Sequence, residues 1–447
     1  MTFMSTENSH QEQPQRCGDG TLQGLATHYD FKMKGNPMTR KILIALLAAL
    51  LLVALPMSAA FAHEDEPPIA CGDLSDDDCQ MLKESRLAMM ELNEYTAQLD
   101  LAMSLSDVPD LPKDLSVGLS SDGVFHLDPE LSAQLAAMQG MSPEEMMDDM
   151  EQIADLISDL YFSIAFDLVL DLQVSEDIAD LLSMQAGMPL PEELNLPMRM
   201  VDGYFYLNID DLAKIIPDAE GLEGWLGIDV GTLMSDALEQ SVAQLEQGDM
   251  PANPAMTGMA LANIQQNLVL QEAANNFIQV ERLDDAEVDG TDVAQFRYTF
   301  DLAGFVSSPE FMEMMMSQLQ MQMAANPDMA ETMPMTEEDM EMVTSMAPMM
   351  APMLLSGLEF ETVSSIGLED KYVYATETHV DWDLSTIVNL AAAASQGKPS
   401  RAKPAGAPSF TYDLMVTNGD FDDAPEVEAP EDAIIIPLDA IQPGPIM

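Results

Sequence analysis

Basic residues are scarce in this sequence, and so are the residues that usually carry chemistry. There are 16 Lys plus Arg against 78 Asp plus Glu, a formal net charge of −62. A field of that sign repels polyanions, so nucleic acid and anionic membrane surfaces are excluded as partners. Histidine numbers 5, and only His63, His126 and His379 lie beyond residue 62. His126 ends a short predicted strand and His379 sits on a polar strand face beside Asp381, so both read as solvated sheet residues rather than general acids or bases. The sequence has no G-x-S-x-G, H-E-x-x-H, phosphate-binding loop or G-x-G-x-x-G. No stretch fits the calcium loop D-x-[DN]-x-[DN]-G-x₅-E either. Carboxylates are too numerous for any acid pair to stand out. The expectation is a protein that is not an enzyme, with no catalytic residue, no cofactor and no metal site.

Long hydrophobic runs are missing as well, with one exception. Arg40 and Lys41 precede an almost wholly apolar run from Ile42 to Met57, which Ser58-Ala59-Ala60-Phe61-Ala62 closes in A-x-A form. The run is short for a spanning helix, which needs about 20 apolar residues. Residues 38–62 therefore read as a cleaved signal peptide. Residues 1–37 read as an over-called translation start. The chain from His63 is expected to be exported and soluble, in the periplasm, at the cell surface or outside the cell.

Cysteine is nearly absent. Cys17 lies in the leader, and Cys71 and Cys79 bracket a short acidic stretch. In an oxidising compartment this pair reads most simply as a small disulfide loop within a polar leader, 63–80. A lipidated Cys71 is the alternative, although six polar or proline residues separate it from the apolar run.

What the chain does have is alternation. Ile164, Phe166, Leu168, Leu170, Leu172 and Val174 share one parity, as do Phe296, Tyr298, Phe300 and Leu302. Tyr372, Tyr374, Val380, Trp382 and Leu384 form a third row, and Phe410, Tyr412, Leu414 and Val416 a fourth. Period two with one wet face predicts antiparallel strands covered on the other face. Turns are expected at Asp122-Gly123, Asp202-Gly203, Asp289-Gly290 and after Asn418-Gly419, because such pairs supply the positive φ of tight hairpins. A helix is expected over the leucines from Leu82 to Leu101, another from the capping box at Ser142-Pro143-Glu144-Glu145, and a third from Ser308-Pro309. Residues 312–353 hold 15 methionines in 42 positions, broken by Pro327, Pro334, Pro348 and Pro352. Residues 391–408 read as a flexible loop.

Several tracts resemble the LolA/LprG/LppX-like superfamily of exported lipid and lipoprotein carriers. They are Met198–Leu207 followed by Trp225-Leu226, the strand pair Val280–Asp301, the pair Ile366–Trp382, and the closing tract Phe410–Pro437 with Ala429-Pro430-Glu431-Asp432-Ala433. The resemblance implies an α+β fold: a large curved antiparallel sheet, or half-open barrel, with helices covering its concave face around an apolar cavity. One domain is expected over 81–440, with a methionine-rich helical insert at 308–356. Cavity candidates are Phe166, Leu168, Leu170, Phe296, Tyr298, Phe300, Met312, Met315 and Met316.

The methionines read as adaptable filler for a greasy lid. The M-x-M spacings leave a periplasmic Cu(I) binder as a lesser alternative. The expected function is non-enzymatic binding or carriage of a hydrophobic, lipid-like small molecule, with an envelope protein as a possible further partner. An envelope structural or interaction protein, its sheet filled by its own side chains, is the other reading.

Overall fold

The computed structural model describes residues 71–128 apart from 110 and 113, then 131, 134, 150–186, 191–215, 223–246, 274–309, 311–312, 351–394 and 406–437. The signal peptide, the 142–145 capping box and residues 313–350, with Met315 and Met316, lie outside the described residues.

The protein is α+β, built on one large, curved, open sheet with thirteen strands among the described residues. The first half of the chain supplies β1 (Glu94–Ser106), β2 (Asp114–His126), β3 (Ala165–Val174), β4 (Glu193–Val201), β5 (Tyr204–Asn208) and β6 (Trp225–Asp229). The second half supplies β7 (Ile278–Arg282), β8 (Ala286–Val288), β9 (Thr291–Phe300), β10 (Leu358–Gly367), β11 (Val373–Asp383), β12 (Ser409–Gly419) and β13 (Ile434–Ile436). The order across the sheet is β13-β6-β5-β4-β3-β2-β1-β12-β11-β10-β9-β7, with β8 paired to β9. Apart from β13, which joins the outer edge of the first block, each half is thus contiguous in the sheet, and the two meet where β1 pairs antiparallel with β12. Among the described strands only β13 runs parallel to its neighbour, β6.

The helices among the described residues are α1 (Asp76–Met90), α2 (Met150–Ser163), α3 (Glu176–Ala186), α4 (Asp210–Ile215), α5 (Val230–Glu246), α6 (Leu302–Val306) and α7 (Ser385–Ala394). Ser75 caps α1 by accepting from the Asp78 amide, and Asp76, Asp77 and Asp78 crowd its first turn, where a helix dipole favours negative charge. The helix starts inside the stretch expected to be a polar leader, 63–80. Cys71 and Cys79 are disulfide-bonded, with Cα atoms 5.4 Å apart.

Two of the expected turns form as tight hairpins. Asp202 and Gly203 take φ 53° and 78°, and Asp289 and Gly290 take 49° and 86°, both pairs in the left-handed region that a two-residue loop requires. Asp122-Gly123 does not turn: it lies inside β2, opposite Ala97-Gln98 of β1 and Leu168-Val169 of β3. The glycine serves packing instead, since a Cβ there would stand 2.8 Å from the Phe125 ring and 3.0 Å from Leu168. Asn418-Gly419 ends β12, and the reversal follows at Asp420 and Asp422, with φ 46° and 56°.

The helix expected to reach Leu101 stops at Met90. Leu99 and Leu101 belong to β1, where Tyr95, Ala97, Leu99, Leu101, Met103 and Leu105 alternate with period two. The expected loop from 391 also begins later, because α7 continues through the alanines to Ala394, the strongest helix formers available.

Candidate functional site

Register converts the alternation into two continuous surfaces. Across the seam, Leu101 faces Leu119 of β2 and Leu414 of β12, and Leu414 faces Thr378 of β11. Phe166 and Leu168 align with Phe125 and Gly123 on one side and with Met200 and Met198 on the other. One face is therefore predominantly apolar across the middle of the sheet. Over β1, β2, β3, β10 and β12, and over 376–382 of β11, it carries no charged side chain. The other face carries Asp100, Asp171, Glu361, Glu377, His379 and Asp413.

The apolar face is packed at its two flanks and less so at its middle. Over β3, β4 and β5, Phe166, Leu168, Leu170, Leu196, Met198, Met200 and Phe205 form one buried cluster, with Tyr161 of α2 and Val230 of α5 against it. Toward the other edge, Leu82 of α1 joins Val280, Ala294, Phe296 and Ile366 in a second. Between them, Leu99, Leu101, Met103 and Leu105 of β1 and Phe410, Tyr412, Leu414 and Val416 of β12 are only half-buried. Fully burying a side chain of this size is worth about 1.5–3 kcal/mol, so the middle forgoes part of the stabilisation that the flanks obtain.

The candidate cavity residues divide between the flanks. Phe166, Leu168 and Leu170 lie in the first cluster, Phe296 in the second with Tyr298 packed against it. Phe300 meets Phe305 and Phe360 at centroid distances of 5.3 and 6.2 Å. Met312 is buried at 4% exposure. Those on strands share a face but are not one contiguous group, since five strands separate β3 from β9.

Sequence reading passed over Trp382 and Tyr412 as ligand contacts, although both stood in the alternating rows. The Trp382 indole Nε1 is buried and has no hydrogen-bond partner among the described residues. The Tyr412 phenol is held above its usual pKa by burial, and burial pushes Tyr298 up to about 12. Thr362 and Thr378 place their hydroxyls 3.0 Å apart on the same face. Arg282, at the β7 edge, is already matched: it pairs with Asp78 at 3.5 Å and with Asp285, and lies 5.2 Å from the Phe296 ring centroid.

Of two hollows, one of about 520 Å³ lies between the ends of β3 and β4 and α4, one of about 540 Å³ is bordered mainly by polar-face residues, and neither includes a candidate cavity residue. The larger takes in Asp100, Asp171, Glu361, Glu377, His379 and Asp413. His379 Nδ1 is 2.6 Å from Asp413 Oδ1, and this hydrogen bond raises the imidazole pKa above its ordinary value. No cluster of His, Cys, Asp and Glu among the described residues is arranged to hold a metal ion. No described helix is long and apolar enough to cross a membrane.

A strap from Asp420 onward crosses the strand ends of the first block. His126 contacts the Pro425 carbonyl at 2.8 Å and Glu94 at 3.0 Å. Arg199 pairs with Asp167 at 2.8 Å, lies 5.1 Å from the Trp225 ring centroid, and donates to the Glu428 carbonyl at 3.3 Å. The strap then becomes β13.

No family model matches the chain, and no curated protein matches it. Among solved structures it is similar to the Mycobacterium tuberculosis lipoprotein LppX, with 8% identity and a TM-score of 0.27, over 79% of this chain and 100% of that one. It is similar also to LprF from Mycobacterium bovis, with 8% identity and a TM-score of 0.26, over 80% and 98% of the two chains. The first bears one of the names of the superfamily that the sequence resembles. At this level of likeness the functional reading rests on the geometry of the face.

Proposed function

We propose that the protein is an exported, non-enzymatic binder or carrier of a hydrophobic, lipid-like molecule, held on the apolar face of the sheet. One observation carries the reading: the middle of that face is uncharged and only half-buried, while both flanks are packed. Exposed apolar surface favours a guest by roughly 25 cal/mol per Å² removed from water, and binding surfaces of this kind are mostly apolar with few polar anchors. The disulfide supports an oxidising compartment, in keeping with export.

Native mass spectrometry of the exported protein is the test, joined to titration with a fluorescent acyl-chain probe. Co-purifying lipid and saturable probe binding are expected. A lipid-free protein that binds no probe would leave the structural reading, in which the sheet is filled by the chain itself.

A further inference from the structure

We infer that the ligand is held through an ester, or another uncharged oxygen acceptor, by Trp382, and that the site discriminates against lipids with a free carboxylate. This rests on the carrier reading above and adds the chemistry of the guest.

An indole N–H is a donor with no acceptor capacity. Left buried without a partner, such a donor is destabilising, and the Trp382 Nε1 is buried with none among the described residues. Its cross-strand neighbours offer nothing to accept, being Leu358 on β10 and Phe410 on β12, both apolar. The natural complement is a carbonyl oxygen brought in by the ligand. Tyr412 is paired with Val380, one step along the same face, and so stands diagonal to Trp382. Such diagonal positions are about 7–8 Å apart, within reach of aromatic side chains. Its phenol, also raised by burial, supplies a second polar group to the same head.

The charge pattern selects against an acid. Burying an ionised carboxylate without a cation is far costlier than burying an ester. Among the described residues this part of the face has no Lys or Arg, and Arg282, at the edge, is already engaged by Asp78 and Asp285. The net charge of −62 adds long-range repulsion of any anion.

The protein contains 2 tryptophans, so Trp225→Phe leaves Trp382 as its own reporter. Trp225 lies against Arg199, away from the proposed site. In that variant, glycerol monooleate should change the Trp382 emission saturably, and sodium oleate at pH 8 should bind at least about tenfold more weakly. Trp382→Phe in the otherwise native chain should weaken monooleate binding, followed by calorimetry, about tenfold, the worth of one buried hydrogen bond. Tyr412→Phe, which keeps the ring, should weaken it about threefold and stands in if Trp382→Phe melts early. Oleate binding as tightly as the ester, or ester binding unchanged in both variants, would overturn the anchor and leave the carrier reading in place. Failure of both lipids to bind would remove the two together.

Discussion

Leu170→Ala and Leu101→Ala remove the same three carbon atoms from the same face of the same sheet, yet they should differ in cost severalfold. Leu170 is 1% exposed and surrounded by Leu196 and Met198, each also at 1%. Its truncation loses about 0.8 kcal/mol per methylene in transfer and leaves a hole that rigid strands cannot close, so about 3–4 kcal/mol is expected. Leu101 is half-buried at the seam, between Leu119 and Leu414. Half the transfer term and no enclosed cavity give about 1.2 kcal/mol. Urea unfolding followed by circular dichroism measures both, provided the m-values of the two variants agree with the parent. A loss at Leu101 as large as that at Leu170 would mean that the middle of the face is packed solid. The half-covered ligand surface would then not exist.

Gly203→Ala should destabilise by about 1–2 kcal/mol, read as a lower melting temperature, because Gly203 has φ 78° and a Cβ there would meet Phe162 at 2.6 Å. The His379 pKa, followed by NMR, should lie above its ordinary 6.5 and fall toward it in Asp413→Asn. Since the folded-state value is raised, the pair's contribution is fully present below 6.5 and lost as pH rises through the folded value. Both side chains are more than half exposed, so that contribution is small. Arg199→Ala should release the strap and speed amide exchange in Ile434–Ile436 while leaving β3 protected; unchanged exchange there would assign no clamping role to Arg199. N-terminal sequencing of the exported protein should start at or near His63, with Cys71 and Cys79 resistant to alkylation until reduced.

The strands were legible because their information is local. Phe166 to Val174 and Phe410 to Val416 alternate in the sequence as they do in space, and two Asp-Gly pairs supplied their own turn geometry. Asp122-Gly123 misled because the same dipeptide serves equally where a neighbouring ring needs the room of a missing Cβ. The Leu82–Leu101 tract misled because leucine fits both periods; the change from helix to strand occurs between Met90 and Glu94 without proline or glycine. The division of the apolar face into packed flanks and a half-covered middle was not legible at all. It depends on strand order, and nothing local to β1 and β12 says that the first and last long strands of the fold lie side by side. For the same reason Trp382 read as one more apolar residue in a row, since only its neighbours Leu358 and Phe410 leave its N–H without a partner.

The seam between β1 and β12 also sets the order in which the molecule can be assembled. Most other strand pairs join neighbours in the chain, so each block can form from short loops. The seam joins residues such as Thr96 and Asp420, 324 positions apart, and the loop-closure entropy of that pairing is compensated only once both blocks exist. Seam formation is therefore the late step, and on a ribosome it waits until nearly the whole chain has emerged. Until then, β1 and β12 each present a long unpaired edge, the kind of surface that recruits another chain. The dense negative charge that keeps nucleic acid away also keeps two such half-built sheets apart during that interval.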